Sequence, residues 1–247
     1  MLHRFRRAGL IWPTALSLAG LAVLIGLGTW QLQRKQWKDG LIAKIAERVG
    51  AEPMPIQQAQ EIARAGGDIE YLHVRAQGRL QHDKERYLYA PAKSALGWHV
   101  YTPLELAPSR IVWVNRGFVP DTSKAPERRS AGQVAGEIVV RGLMRAPTRK
   151  GLFTPENDAA RNLWYWPDIS AMTASAFAGA AVEAAPFIID ADATPQSPGG
   201  LPQGGVTRLD LPNRHLEYAL TWYSLALALI GVYSAFAVSR LRLAGPG

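Results

Sequence analysis

Leu10-Ile11-Trp12-Pro13-Thr14-Ala15-Leu16-Ser17-Leu18-Ala19-Gly20-Leu21-Ala22-Val23-Leu24-Ile25-Gly26-Leu27-Gly28-Thr29-Trp30 decides the fold. It lies inside an uncharged run over residues 8–33, and a second uncharged run covers residues 218–239. A helix rises 1.5 Å per residue, so about 20 residues cross a hydrocarbon core about 30 Å thick. Each run is long enough. A charge at mid-span would cost about 2.5–3.5 kcal/mol, and neither run contains one. Two buried core helices of a soluble protein are the weaker alternative.

The expected architecture is a membrane protein with two transmembrane α-helices flanking an α+β, mainly antiparallel β, extracytoplasmic domain. Its parts are a tail at 1–9, a transmembrane helix at 10–30, a periplasmic domain at 31–214, a second transmembrane helix at 215–238 and a tail at 239–247. Arg4, Arg6 and Arg7 precede the first run, and Arg240 and Arg242 follow the second. The excess of basic residues on cytoplasmic flanks therefore puts both tails in the cytoplasm. Arg34, Lys35 and Lys38 run against that rule, from which long translocated domains are exempt. Ser17-Leu18-Ala19 loosely suits signal cleavage, but the apolar run continues past it, which favours an uncleaved anchor. No Arg- and Ser-rich presequence precedes the run, which points to a bacterial inner membrane rather than an organelle.

The formal net charge of +8 comes from dispersed residues, without a Lys/Arg block interleaved with aromatics. Anionic headgroups account for it better than nucleic acid. Cysteine is absent, which excludes disulfides, thiol nucleophiles, CxxC redox chemistry and c-type haem attachment. It also disfavours a Cu(I) chaperone.

Trp30 and Trp37 share a helix face, and Leu41, Ile42, Ile45 and Val49 extend the helical spacing to about Gly50. A short helix is expected at 57–64. From Tyr71 the period changes to two: Leu72, Val74 and Ala76 alternate with His73, Arg75 and Gln77. Further strands are expected at 86–90, 98–104, 110–119 and 137–145, with a hairpin tip at Pro108-Ser109. Alanine-rich 173–185 reads as helix, 186–190 as a last short strand, and 193–205 as a flexible loop rich in Pro and Gly.

His215 is the most pointed chemical candidate. It stands at headgroup depth on a stripe with Ala219 and Trp222. A neutral imidazole there could ligate haem iron, with Ala219 leaving room for the macrocycle and Trp222 flanking it. Headgroup hydrogen bonding or helix capping is the plainer account, and on spacing alone the stronger one. Arg214 would suit a haem propionate or a lipid phosphate equally well. His73, His82 and His99 lack a metal-ligand spacing and read as surface or hydrogen-bonded residues. Asp190 and Asp192 read as a solvated strand edge. Ala22-x-x-x-Gly26 and Gly231-x-x-x-Ala235 would let helices approach closely, either each other or a partner. No nucleophile, metalloprotease, phosphate-loop or dinucleotide motif appears, so no enzyme is indicated.

Several segments together resemble the Surfeit locus protein one family of cytochrome c oxidase assembly factors. They are Gly28-Thr29-Trp30-Gln31-Leu32-Gln33-Arg34-Lys35, Gly97-Trp98-His99-Val100-Tyr101-Thr102-Pro103-Leu104 and Val112-Trp113-Val114-Asn115-Arg116-Gly117-Phe118-Val119-Pro120. Val140-Arg141-Gly142-Leu143, Asn162-Leu163-Trp164-Tyr165-Trp166-Pro167-Asp168 and Asn213-Arg214-His215-Leu216-Glu217-Tyr218-Ala219-Leu220-Thr221-Trp222 complete the match. The resemblance implies assembly of the haem-copper oxidase, with haem a handled for its catalytic subunit and haem a synthase as a further partner. It makes His215 the expected ligand of the haem iron, with Trp222 and Arg214 beside it. A haem-independent scaffold for an oxidase intermediate is the alternative.

Overall fold

The structure, a computed structural model, describes residues 6–91 and 96–243. Arg4 of the expected basic flank lies outside them. The described chain divides into a helical hairpin, within 1–44 and 210–247, and a body, Ile45–Leu209.

Helix α1 is continuous over Ile11–Gly50, as the apolar run followed by the 41–49 spacing predicts. At 1.5 Å per residue its 40 residues extend about 60 Å, twice the hydrocarbon thickness. The hairpin's second helix covers His215–Leu243. Almost none of either helix's apolar window is buried, so neither is a core helix. The two pack through small and hydroxyl side chains. A Cβ on Gly28 would stand 2.8 Å from the Tyr223 ring, and one on Gly20 would stand 3.4 Å from Leu229. Thr29 Oγ1 and Tyr223 OH share a hydrogen bond of 3.2 Å, and Thr14 bonds Tyr233 in the same way. Gly26 and Gly231 have nothing within 4 Å. The small-residue pairs noted in the sequence therefore do not form this contact; Gly20 and Gly28 do. Arg240 Nε donates to Ala8 O at 3.2 Å, joining the two tail-proximal ends.

The body contains β1 (Met54–Pro55), α2 (Ile56–Arg64), β2 (His73–Leu80), β3 (Arg86–Tyr89), β4 (Gly97–Ala107), β5 (Arg110–Pro120), β6 (Glu137–Arg145), α3 (Ile169–Ala176) and β7 (Glu183–Ala191). The sheet order is β1-β2-β6-β7-β5-β4-β3, and β2 also pairs with β4 through Arg79↔Glu105 and Leu80↔Leu104. Strands β2, β6, β7, β5 and β4 thus close on themselves, which removes exposed edges among those five. Pairing is antiparallel except for β1–β2 and β5–β7. The sheet is mixed, within the mainly antiparallel character expected.

Period-two alternation builds a core on each face. Val112, Val114, Phe187 and Ile189 point into one cluster with Val74, Leu104 and Met144. Ile111, Trp113 and Ile188 point into the other with Trp164 and Met172. β5 and β7 are covered on both faces, so they read as continuous apolar runs. Ser109, φ 60°, sits at the expected β4–β5 tip.

Two expectations change. Helix α3 starts earlier and stops sooner than 173–185: the Asp168 carboxylate accepts from Ala171 N at 3.0 Å and caps it, and Trp113 Nε1 donates to Thr173 at 3.0 Å. Residues 183–185 belong instead to β7, where Arg110↔Glu183 and Ile111↔Ala184 pair with β5. Cross-strand pairing outweighs the helix propensity of alanine. Segment 193–205 is held along β5 rather than loose. Phe118 and Gln203 exchange backbone hydrogen bonds of 2.9 Å, and Gly205 N donates to Ala191 O at 2.8 Å. Only glycine fits at 117, whose φ is +117° and whose Cβ would lie 1.8 Å from Gln203 O.

Candidate functional site

The second span begins at a clamp. Lys35 Nζ donates to Asp39 at 2.6 Å, Asn213 Nδ2 donates to the other Asp39 oxygen at 2.7 Å, and Lys38 bonds Pro212 O. The chain entering the second span is thereby tied to α1, and His215 is its first helical residue. His215 Nδ1 stands 2.7 Å from Gln31 Oε1. An amide oxygen accepts, so Nδ1 is the donor in this contact and Nε2 is left without a partner. Among the described residues the His215 side chain makes no other hydrogen bond. A partner on one ring nitrogen orients a histidine for contacts through the other, and Gln31 is placed to do so here.

The surroundings are one-sided. Ala219 is 1 % exposed, so it is spent on helix packing and leaves no space for a macrocycle, contrary to the expectation. Trp222 is half-buried on the same helix, while Leu216, Tyr218 and Leu220 are exposed. Arg214 pairs with Glu217, Nη2 to Oε2 at 2.9 Å, in an exposed contact that is worth little and gives way to another anion. Among the described residues no group of three or more His, Asp or Glu side chains is placed to hold a metal ion. The donor fits a haem iron; the walls fit only a ligand lying against an open helix face.

The body holds a buried ionic network that the sequence reading missed. Glu85, Arg116 and Arg129 are 3 %, 6 % and 4 % exposed. Arg129 grips both carboxylate oxygens of Glu85, at 3.2 and 2.5 Å, and Arg116 Nη1 adds a contact of 3.4 Å. Tyr87 OH donates to the same carboxylate at 3.1 Å. Burial alone would raise the Glu85 pKa; hydrogen bonds from His82 and Arg129 and the two guanidinium charges overcome it, holding the pKa at about 2. Burial lowers Arg116 to about 10 against the opposing charge of Glu85. One carboxylate faces two guanidiniums. Gly132 O, Ser123 O and Lys124 O accept the remaining donors.

A second network corrects the reading of Asp190 as a solvated edge. It is 6 % exposed and accepts from Asn115 Nδ2 at 2.9 Å, Thr207 Oγ1 at 2.8 Å and Arg145 Nη1 at 3.1 Å. Asp192 pairs with His73 Nε2 at 2.8 Å, and His73 Nδ1 lies 2.8 Å from Ala51 O. His82 Nε2 donates to Val134 O at 3.0 Å. Burial lowers the His99 pKa, opposed by the charge of Asp190. Both networks are satisfied structural clusters. Arg116, a charge inside the apolar stretch 111–119, was the readable signal for the first.

Comparison with known proteins bears on this site. Residues 18–227 match the SURF1 family. The mouse (Mus musculus) Surfeit locus protein 1 is 39 % identical over 223 residues, covering 84 % of this chain and 70 % of that protein. The human (Homo sapiens) Surfeit locus protein 1 is 37 % identical over 220 residues, covering 82 % and 70 %. A SURF1-like protein of Monosiga brevicollis is 35 % identical over 242 residues, covering 92 % and 87 %.

Proposed function

The chain belongs to the SURF1 family of cytochrome c oxidase assembly factors, and on that premise we propose that it carries haem a to the catalytic subunit of the haem-copper oxidase. The role is non-enzymatic. The observation that supports it is the His215–Gln31 pair, which presents Nε2 of an anchored imidazole at the start of the second span. Haem a is the cargo, and Nε2 of His215 would hold its iron. Trp222 offers an aromatic edge on the same helix, and Arg214 can leave Glu217 for a propionate. A single nitrogen ligand and an open face bind loosely. An acceptor with more ligands then wins the cargo.

In this reading the two apolar helices anchor the chain in a bacterial inner membrane. The body lies in the periplasm and both tails in the cytoplasm, in keeping with Arg6, Arg7, Arg240 and Arg242 at the tail-proximal ends. Haem a synthase is the partner that would load the cargo. A haem-independent scaffold is favoured by one observation, the burial of Ala219, which removes the expected recess.

Complementation separates the two. In cells lacking the protein, His215→Ala should reach the membrane at the wild-type level while haem a per oxidase falls. Haem a content equal to wild type would refute the carrier reading and leave the scaffold.

A further inference from the structure

Leu152 and Phe153 are 91 % and 94 % exposed, more than the large apolar side chains on either span. They are adjacent, at a turn closed by Thr154 N donating to Gly151 O at 3.1 Å. Arg149 and Lys150 precede them across Gly151 and are also exposed. Lys150 is paired with Glu156; the Arg149 side chain makes no hydrogen bond or ion pair among the described residues. Paired, exposed apolar side chains beside cations match the chemistry of an anionic lipid interface: headgroup phosphates for the guanidinium, the acyl boundary for the rings and methyls.

The fold places the base of this turn beside both of the body's exits. The turn leaves β6 at Arg145, whose Nε donates to Glu70 at 2.8 Å, and Ala146 N donates to the same carboxylate at 2.7 Å. Glu70 O accepts from Arg48, in the last turn of α1, at 2.5 Å. Arg145 Nη1 also reaches Asp190, which holds Thr207, two residues before the body ends at Leu209. From Thr207 at most about 28 Å of extended chain lead to the first residue of the second span. Tethering of this length keeps the body at high effective concentration at the membrane face where the second span begins.

We propose that the 149–153 turn is a lipid-contacting tip, with Leu152 and Phe153 entering the interface of an anionic bilayer and Arg149 and Lys150 binding its phosphates. The chain has no cysteine, so a nitroxide on Leu152→Cys in the full-length protein reports one position. The protein is reconstituted in vesicles of phosphatidylcholine with and without phosphatidylglycerol. The account predicts greater accessibility to oxygen than to an aqueous nickel chelate, most strongly in the anionic vesicles, while a label at exposed Ala160 stays aqueous. Each basic residue strengthens binding to an anionic surface by about fivefold. Arg149→Glu with Lys150→Glu should therefore lower the ratio of immersed to aqueous label at least about tenfold. A label that stays aqueous in both vesicles overturns the proposal. So does one that is protected in native membranes yet aqueous in vesicles, which would assign the tip to a protein partner.

Discussion

Glu85→Gln keeps the shape of the side chain and removes its charge. Two guanidiniums, of Arg116 and Arg129, would then remain buried without a counter-ion. Removing one partner of a buried ion pair costs about 3–5 kcal/mol. Here Gly132, Ser123 and Lys124 carbonyls continue to accept from the two arginines, which puts the loss near the lower end, about 3 kcal/mol. For a body of this size each kcal/mol moves the melting midpoint by about 2–4 °C, so the variant should melt about 6–12 °C lower. Near-ultraviolet circular dichroism of the full chain in detergent follows the environment of buried Trp113 and Trp164. Arg129→Met in the Glu85→Gln background should cost less than the two single losses added, because it removes one of the stranded charges. A midpoint within about 2 °C of wild type, or strictly additive losses, would refute the claim that this carboxylate holds the network.

Two further outcomes follow from the body. The folded pKa of Glu85, about 2, lies below the ordinary 4.5, so its contribution is complete above about 4.5 and is lost as pH falls toward 2. Urea titrations across that window should lose about 3 kcal/mol in the wild type and clearly less in Glu85→Gln; identical slopes would contradict the assignment. Gly117→Ala places a methyl against Gln203 O at a left-handed φ, so it should cost more than about 2 kcal/mol and free segment 193–205 to protease, measured by limited proteolysis; wild-type resistance would contradict the packing.

The parts legible in the sequence were those governed by local rules. Unbroken apolarity marked both spans, and period-two alternation marked β2, because one residue's neighbours on the strand determine which face it takes. Residues 183–185 misled because alanine is neutral toward burial, and a parallel partner 73 residues away, Arg110 for Glu183, decides their state. The networks were hidden for a similar reason. Glu85 sits in the polar stretch His82-Asp83-Lys84-Glu85-Arg86, and only the closed sheet brings Arg116 and Arg129 to it. Asp190 looked like an edge because Asn115, Arg145 and Thr207 reach it from three other segments. At the candidate site His215 was legible as the polar first residue of an apolar helix. Its partner Gln31 was not, since the hairpin packing that pairs them depends on Gly20 and Gly28 rather than on the small-residue pairs the spacing suggested.

The most direct test of the carrier account is an absorption spectrum of the full chain purified in detergent from cells that make haem a. The account predicts bound haem a with a nitrogen-ligated spectrum in the wild type, and its loss in His215→Ala, with the hairpin and body still folded by circular dichroism. Haem-free wild-type protein, or the same spectrum from both proteins, would contradict it.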